Sequence, residues 1–162
     1  MPMSAYMANL RIKIGVDLLL MPAAGAAVFD TGGRLLLARH VDDGLWATVG
    51  GGIEPGERPA EAALRELVEE TGLQAEILGI VGAYGGPDFE ITYRGGDRVA
   101  YVVTMYACRL LAGEVTPDYT EVSEVGWFGE QEAQALSRSS DMKRIIPDAF
   151  QWWATNRSAR LR

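Results

Sequence analysis

The segment between Pro59 and Gly72 constrains the fold most, because its apolar and acidic residues repeat with the period of an α-helix. Proline suits the first helical position, since its ring fixes φ and its missing N–H would have no partner there. Glycine suits the position after the last turn. One face carries small or apolar residues: Ala60, Ala63, Leu64, Leu67 and Thr71, with Val68 at its edge. We therefore predict an amphipathic helix that begins at Pro59 and stops at Gly72.

Three glutamates occupy another face of this helix. Glu66, Glu69 and Glu70 stand at positions i, i+3 and i+4, so their carboxylates are neighbours on a single turn. Like charges at this spacing repel by a few tenths of a kcal/mol per pair, and pairing with Arg65 would offset part of that cost. The cluster alone therefore leaves two interpretations open, a solvated charged surface and a carboxylate site for a cation.

The segments around the helix predict a mixed sheet. Residues 23–29 and 34–39 are apolar runs joined by a turn-forming cluster, which indicates a hairpin. Further strands are predicted at residues 75–84, 98–110 and 124–128, and helices at residues 130–136 and 141–156. Residues 4–14 could form either a short helix or a strand. The fold class that follows is α/β, with a mixed sheet packed between helices.

Glycines between the hairpin and the helix predict a loop. Gly50, Gly51 and Gly52 are followed by Pro55 and Gly56. Such backbone adopts conformations closed to other residues and lets a ligand approach closely.

Length and composition favour one domain, residues 1–162, with residues 1–21 as an amino-terminal extension and 141–162 as a carboxy-terminal helix. The chain has 162 residues, 48% of them hydrophobic, and a net charge of -7. That charge argues against non-specific binding to nucleic acid or anionic membranes. Cys108 and His40 are the single cysteine and histidine, which excludes an internal disulfide and a Cys/His zinc cluster. We expect a cytoplasmic protein with no membrane-spanning segment and no specific nucleic-acid binding.

The chain ends suggest two further expectations. Arg157, Arg160 and Arg162 form a basic tail, which we expect to be a solvated end. Trp152 and Trp153 are expected to anchor the last helix to the body of the protein or to a second subunit, so a homodimer is possible.

The helix and the glycines before it belong to one longer pattern. Gly51 is followed after five residues by Glu57, and Glu57 after seven residues by the run from Arg65 to Leu73, which reads RELVEETGL. This pattern resembles the Nudix box of the MutT-like hydrolases, and every defined position of that signature is present. The resemblance extends over residues 23–136. It implies an α/β/α sandwich and Mg²⁺-dependent hydrolysis of a nucleoside diphosphate linked to another moiety, with Mn²⁺ as a possible substitute. Mg²⁺ prefers oxygen ligands, which this chain supplies.

Carried over position by position, the resemblance implies roles for the box residues. Glu69, Glu70 and the Gly50 carbonyl would bind metal, and Glu66 would bind metal or activate water. Glu57 would lie near the metal through water, and Arg65 would orient a carboxylate. A later carboxylate could be the base; Glu124 is our first choice, with Glu121, Glu90 and Asp97 as alternatives.

Substrate binding is expected to involve Trp46, Gly51, Phe89 and Tyr93, because aromatic rings can stack on a nucleobase, although core packing is the ordinary role of aromatic residues. The substrate would be a small nucleotide such as ADP-ribose or a related derivative; Pro87 favours this weakly. A nucleoside triphosphate is the alternative substrate class, and a nucleotide-binding domain without catalysis is the alternative function.

Overall fold

The computed structural model describes residues 4–156. Its helices are α1 (Ala5–Ile14), α2 (Pro59–Thr71), α3 (Glu130–Ala135) and α4 (Met142–Thr155). Its strands are β1 (Leu19–Phe29), β2 (Leu35–His40), β3 (Trp46–Ala47), β4 (Val49–Gly52), β5 (Gln74–Tyr84), β6 (Glu90–Thr92), β7 (Arg98–Ala112) and β8 (Val122–Phe128). The basic tail of Arg157, Arg160 and Arg162 and the outer limits of the predicted domain lie outside the described residues.

One mixed sheet organises the molecule. Its strands run in the order β3-β2-β1-β7-β5, while β4 pairs with β1, β6 with β7 and β8 with β2. Strands β1 and β7 are parallel, from Leu19 beside Val99 to Phe29 beside Arg109, and the other pairs are antiparallel. The predicted α/β fold with a mixed sheet is confirmed.

Helices cover both faces of the sheet, as expected for a sandwich. On one face, Ile145, Ile146 and Phe150 of α4 pack with Phe29 and other buried residues of the sheet. On the other face, Leu67 of α2 packs with buried residues of β1, β2 and β7. Trp153 stacks on Phe29 with ring centroids 4.4 Å apart, so α4 is anchored to the body of this chain. A homodimer stays a prediction.

The predicted hairpin forms, with Phe29 beside Leu35, but it is short. Most of β2 pairs with β8 instead, from Leu35 beside Phe128 to Arg39 beside Glu124. Strand β1 also begins at Leu19, so the last residues of the predicted extension belong to the sheet.

The prediction that the three glycines lie in a loop is wrong. Residues Val49–Gly52 form β4, which pairs with β1 so that Gly50 lies beside Gly25. A Cβ atom on Gly50 would lie 2.7 Å from the carbonyl oxygen of Ala24. The glycine therefore permits close approach of two strands, a reason that periodicity alone does not reveal.

The amino-terminal segment, which could have been helix or strand, is helical. Ser4 caps α1, because its hydroxyl accepts a hydrogen bond from the Met7 N–H at 3.2 Å. Among the helices of residues 4–156, none is long and apolar enough to cross a membrane.

Candidate active site

The carboxylates of α2 do not all face solvent. Glu66 and Glu70 are 1% and 2% exposed, and only Glu69 of the three stands exposed. The sequence assigned all three to one solvated or cation-binding face, whereas the helix turns two of them against the sheet. Burying two carboxylates costs far more than a surface cluster does, which argues against a merely solvated face.

Arg65 binds three glutamates, Glu57, Glu66 and Glu69, and a carbonyl of β4. Its Nε and Nη2 atoms donate to the two oxygens of Glu57 at 2.7 and 3.0 Å. Its Nη1 donates to Glu66 Oε1 at 2.7 Å and to Glu69 Oε2 at 3.1 Å, and its Nη2 also donates to the Gly52 carbonyl at 3.1 Å. Such a planar fork suits carboxylates. Arg65 thereby fixes Glu57 and Glu66 relative to the end of β4.

These bonds shift the pKa values of the partners. The Arg65 guanidinium holds the pKa of Glu57 below its ordinary value, and the same carboxylates raise the pKa of Arg65. Burial raises the pKa of Glu66, although Arg65 opposes that shift; the charges of Glu69 and Glu121 add to it.

Glu70 is the least compensated charge of the site. Its Oε1 accepts the Gly50 N–H at 3.4 Å, while its Oε2 is buried without a hydrogen-bond partner. Burial raises the pKa of Glu70 to about 9, and the charges of Glu66, Glu121 and Asp118 contribute to the rise. An orphaned carboxylate oxygen among other acidic groups is a place where a cation lowers the free energy.

The loop before β8 brings two more carboxylates, Asp118 and Glu121, close to Glu70. The Asp118 N–H donates to the Glu70 carbonyl at 3.3 Å, and the Thr116 N–H donates to the Thr71 carbonyl at 2.8 Å, so the loop is bonded to the end of α2. Asp118 Oδ1 accepts the N–H groups of Glu121 and Val122 at 3.0 and 2.9 Å. Burial would raise the pKa of Asp118, but these N–H groups lower it below its ordinary value.

The structure distinguishes the two leading choices for the later carboxylate. Glu121 is close enough to raise the pKa of both Glu66 and Glu70. Glu124 instead lies beside Arg39 on β8, with Arg39 Nη1 3.7 Å from its Oε2 and its side chain 58% exposed.

A cavity of about 190 Å³ opens beside the glycines of β4. Its wall includes Gly50, Gly51, Phe89 and Tyr93, which places three of the four predicted substrate contacts on one cavity. Trp46 is not part of that wall; it is 9% exposed and packs edge-on against Phe128 with ring centroids 5.0 Å apart. The structure thus gives Trp46 the core role that was the ordinary alternative.

The cavity also contains side chains that the sequence did not indicate, namely His40, Ile91, Tyr101, Met105, Asp141 and Met142. Tyr101 could have been found from the alternation of β7, since it shares a face with Val103 and Met105. Asp141 and Met142 come from the start of α4, far from the box in sequence, and no local pattern points to them.

The family relationship follows from comparison with known proteins. The family model described as the NUDIX domain matches residues 19–149. The chain belongs to the Nudix family. The resemblance inferred from the box is thereby confirmed, and the residues from Gly51 to Leu73 are its Nudix box.

Individual relatives agree with this assignment. An RNA pyrophosphohydrolase of Novosphingobium aromaticivorans is 41% identical over 130 residues, which cover 71% of this chain and 81% of that protein. The NAD-capped RNA hydrolase NudC of Vibrio parahaemolyticus is 29% identical over 118 residues, which cover 70% of this chain and 40% of that protein. The chain spans 39–56% of the length of four curated relatives that it matches.

Solved structures support the fold. The MutT Nudix hydrolase from Burkholderia pseudomallei has a TM-score of 0.66 and 21% sequence identity, and the match covers 80% of this chain and 98% of that one. At that identity the likeness shows a shared Nudix fold and nothing finer.

The donor chemistry of this Nudix box fits a divalent metal. Within residues 4–156, no three His, Cys, Asp or Glu side chains stand at ligand spacing. Arg65 binds Glu57, Glu66 and Glu69. The acidic side chains that Arg65 and the end of β4 bring together are nevertheless carboxylates, those of Glu57, Glu66, Glu69 and Glu70. Carboxylate oxygens are hard donors of the kind that Mg²⁺ selects. The unpartnered Glu70 Oε2 is the atom that such an ion would satisfy.

Proposed function

We propose that this Nudix protein is a metal-dependent pyrophosphohydrolase that cleaves a phosphoanhydride bond of a nucleotide. The observation that carries the proposal is Glu70, a buried carboxylate with one unpartnered oxygen, bonded to the same glycine that lines the adjoining cavity. Gly50 touches both Glu70 and the cavity, so the acidic cluster and the cavity with its aromatic and apolar lining are two parts of one site. Phosphates would lie at the carboxylates and the base in the cavity.

Roles for the acidic groups follow from their placement. Glu66, Glu69, Glu70 and the Gly50 carbonyl would hold Mg²⁺ or Mn²⁺, which when bound neutralises phosphate charge and makes water a better nucleophile. Glu57 keeps Arg65 in place through two hydrogen bonds. Arg65 in turn orients Glu66, and it leaves the second oxygen of that carboxylate outside its own contact.

Glu121 is the later carboxylate that we assign to metal binding or to proton abstraction from water. Its charge acts on both buried glutamates, and Asp118 fixes its backbone beside the end of α2. Glu124 was the choice from sequence. It lies on β8 beside Arg39 of β2, and this position offers no comparable link to Glu66 or Glu70.

The cavity favours a substrate with an aromatic base. Phe89, Tyr93 and Tyr101 provide faces and edges against which a base can pack, and Met105 and Met142 complete an adaptable apolar wall. We propose a nucleoside diphosphate linked to another moiety, with a nucleoside triphosphate as the alternative. The relatives named as hydrolases of RNA ends make a 5′-phosphorylated or NAD-capped RNA a third compound class to assay.

A substrate panel tests the function directly. Release of phosphate or nucleotide is measured with ADP-ribose, nucleotide sugars, dinucleoside polyphosphates, canonical and oxidised nucleoside triphosphates and short capped RNAs, each with Mg²⁺ and with Mn²⁺. Turnover should require metal, and Glu70→Gln should lower kcat by at least ~10²-fold, because it removes a charge that acts at the reacting phosphate.

Glu114→Gln is the matched control. Glu114 is an exposed carboxylate outside the cluster, so its substitution changes net charge by the same amount without touching the site. Equal activity of wild type, Glu114→Gln and Glu70→Gln would refute the assignment of the acidic cluster. Nucleotide binding without turnover by the wild type would favour the non-catalytic alternative.

A further inference from the structure

A nearly buried arginine bonds the amino-terminal helix to the rest of the protein. The Arg11 side chain is 9% exposed. Its Nη1 donates to the carbonyls of Gly15 and Asp17 at 3.1 and 2.8 Å, and its Nη2 donates to the carbonyl of Arg98 at 2.9 Å. Its Nε lies 3.9 Å from Asp97 Oδ1.

These contacts join parts of the chain that are far apart in sequence. The carbonyls of Gly15 and Asp17 belong to the turn that ends α1, whereas Arg98 begins β7 and Asp97 precedes it. Hydrogen bonds from a guanidinium are charge-assisted, and a charge this buried requires them. Arg11 therefore clamps the end of α1 against the connection between β6 and β7.

That connection carries part of the proposed substrate cavity. Strands β6 and β7 form a hairpin in which Ile91 lies beside Val99 and Thr92 beside Arg98. Its turn is closed by two bonds, from the Tyr93 N–H to the Asp97 carbonyl and from the Gly96 N–H to the Tyr93 carbonyl, each 2.9 Å.

The side chains of the hairpin lie on the cavity. Ile91, Tyr93 and Tyr101 line it, and the hydroxyls of Tyr93 and Tyr101 are 2.6 Å apart. Burial raises the pKa of Tyr101, and the nearby Arg11 charge acts against that rise, which places the guanidinium within electrostatic range of the tyrosine pair. Arg11 thus supports the hairpin from behind while the tyrosines face the proposed ligand.

At the turn of the hairpin, Arg94 Nη2 also donates a hydrogen bond to the Asp42 carbonyl at 3.4 Å. That bond is single and longer than the three bonds that Arg11 donates, so it restrains the turn less than Arg11 does.

We propose that Arg11 is a positioning residue for substrate binding, and that α1 acts through it as part of the nucleotide-binding apparatus. It sets the position of the hairpin that carries Ile91 and Tyr93, and hence the affinity for the base, while the box carries the chemistry. This inference rests on the proposed function for the identity of the ligand, and on the Arg11 contacts alone for the positioning.

The first test is a split between KM and kcat. Arg11→Gln is measured with the panel substrate that the wild type turns over fastest. KM should rise by ~10-fold and kcat should stay within about twofold, because displacement of a positioning element weakens binding without altering the reacting groups. Arg11→Lys keeps the charge but loses the planar fork, so it should restore part of the loss.

Lys13→Gln is the matched control, since Lys13 is an exposed cation on the same helix. Lys13→Gln removes the same charge as Arg11→Gln but leaves the Arg11 contacts intact. KM should therefore stay unchanged. A KM for Arg11→Gln equal to that of Lys13→Gln would overturn the proposal, as would a fall in kcat that follows a lowered melting temperature at unchanged KM. If Arg11→Gln does not fold, the same comparison is made with Arg11→Lys.

The second test needs no ligand and separates this inference from the proposed function. In hydrogen exchange measured by mass spectrometry, Arg11→Gln should speed exchange by ~10-fold or more in peptides that contain the Tyr93 and Gly96 amides, with α2 unchanged. Unchanged hairpin protection would overturn the positioning role even in an active enzyme. Faster hairpin exchange in a protein that hydrolyses nothing on the panel would refute the proposed function and leave the clamp standing.

Discussion

Glu70 and Gly50 are joined by a hydrogen bond of 3.4 Å from the backbone of β4 to the last turn of α2. It satisfies one oxygen of a buried carboxylate and leaves the other without a partner. The bond requires that β4 lie close to the helix, and β4 can pack so closely against β1 because Gly50 has no side chain. The electrostatic and the steric features of the site therefore depend on the same residue.

The pKa of Glu70 predicts how the metal-free protein responds to pH. Folding raises this pKa from 4.5 to about 9, so the carboxyl binds a proton more tightly in the folded state. Its contribution to the free energy of unfolding is complete below pH 4.5 and is lost as the pH rises to about 9. In EDTA, the free energy of unfolding should therefore fall less for Glu70→Gln than for wild type as the pH rises from 4.5 to about 9.

Chemical denaturation at intervals between pH 4.5 and 9 measures this difference. Glu114→Gln serves as the control and should follow the wild-type curve. Parallel curves for wild type and Glu70→Gln would contradict the buried, proton-binding state of Glu70. Saturating Mg²⁺ should stabilise wild type most at the alkaline end, where the ionised carboxylate is most in need of a cation.

The fold could be predicted well from the sequence because its signals are local. Proline at the start and glycine at the end defined α2 correctly, and Gly72 adopts a φ of 72° at the C-cap. Strands β1, β2, β5, β7 and β8 likewise follow their predicted apolar runs. What the sequence could not give is pairing: β2 pairs mostly with β8 rather than with β1, since partners distant in the chain leave no periodic trace.

The site could likewise be predicted only where its residues form a local pattern. The box residues form a fixed pattern, whereas the later carboxylate depends on a loop whose course is set by Asp118 and its backbone bonds. Helical periodicity grouped Glu66 with the exposed Glu69, because a helical wheel gives directions around an axis and not the surface that the helix meets. Trp46 lies in the core, because the packing partners that bury an aromatic residue leave no trace in periodicity, and its contact with substrate stays a prediction.

Glu121 and Glu124 can be separated by matched substitutions to glutamine. Glu121→Gln should lower kcat by ~10²-fold, because it removes a carboxylate beside Glu66 and Glu70. Glu124→Gln changes an exposed residue near Arg39 and should leave kcat within about twofold of wild type. Steady-state rates on the panel substrate measure both, and the reverse order of effects would restore Glu124 as the base.

Arg65→Lys tests whether the geometry of the guanidinium matters beyond its charge. Lysine cannot reproduce the two parallel bonds to Glu57 while it also reaches Glu66, so kcat should fall by about 10- to 100-fold. Arg58→Lys is the control, because Arg58 is largely exposed at the start of the same helix. Equal rates for the two variants would show that charge alone suffices at Arg65.

Gly50→Ala tests the steric basis of the site. The new Cβ would lie 2.7 Å from the Ala24 carbonyl oxygen and 2.8 Å from the Gly25 Cα, and neither backbone atom can move without displacing β1. We expect a loss of about 2 kcal/mol in unfolding free energy, typical of overpacking. Gly95→Ala is the control, since its nearest neighbour is Asp97 Oδ2 at 3.9 Å.

Thermal unfolding of both glycine variants, with and without Mg²⁺, measures this expectation. Gly50→Ala should melt ~4–8 °C below wild type, while Gly95→Ala should stay close to it. Displacement of β4 would also move the Gly50 N–H away from Glu70, so metal stabilisation should be smaller in Gly50→Ala than in Gly95→Ala. A normal melting temperature for Gly50→Ala would show that β4 does not need to approach β1 so closely, and would remove the steric reason for the glycine.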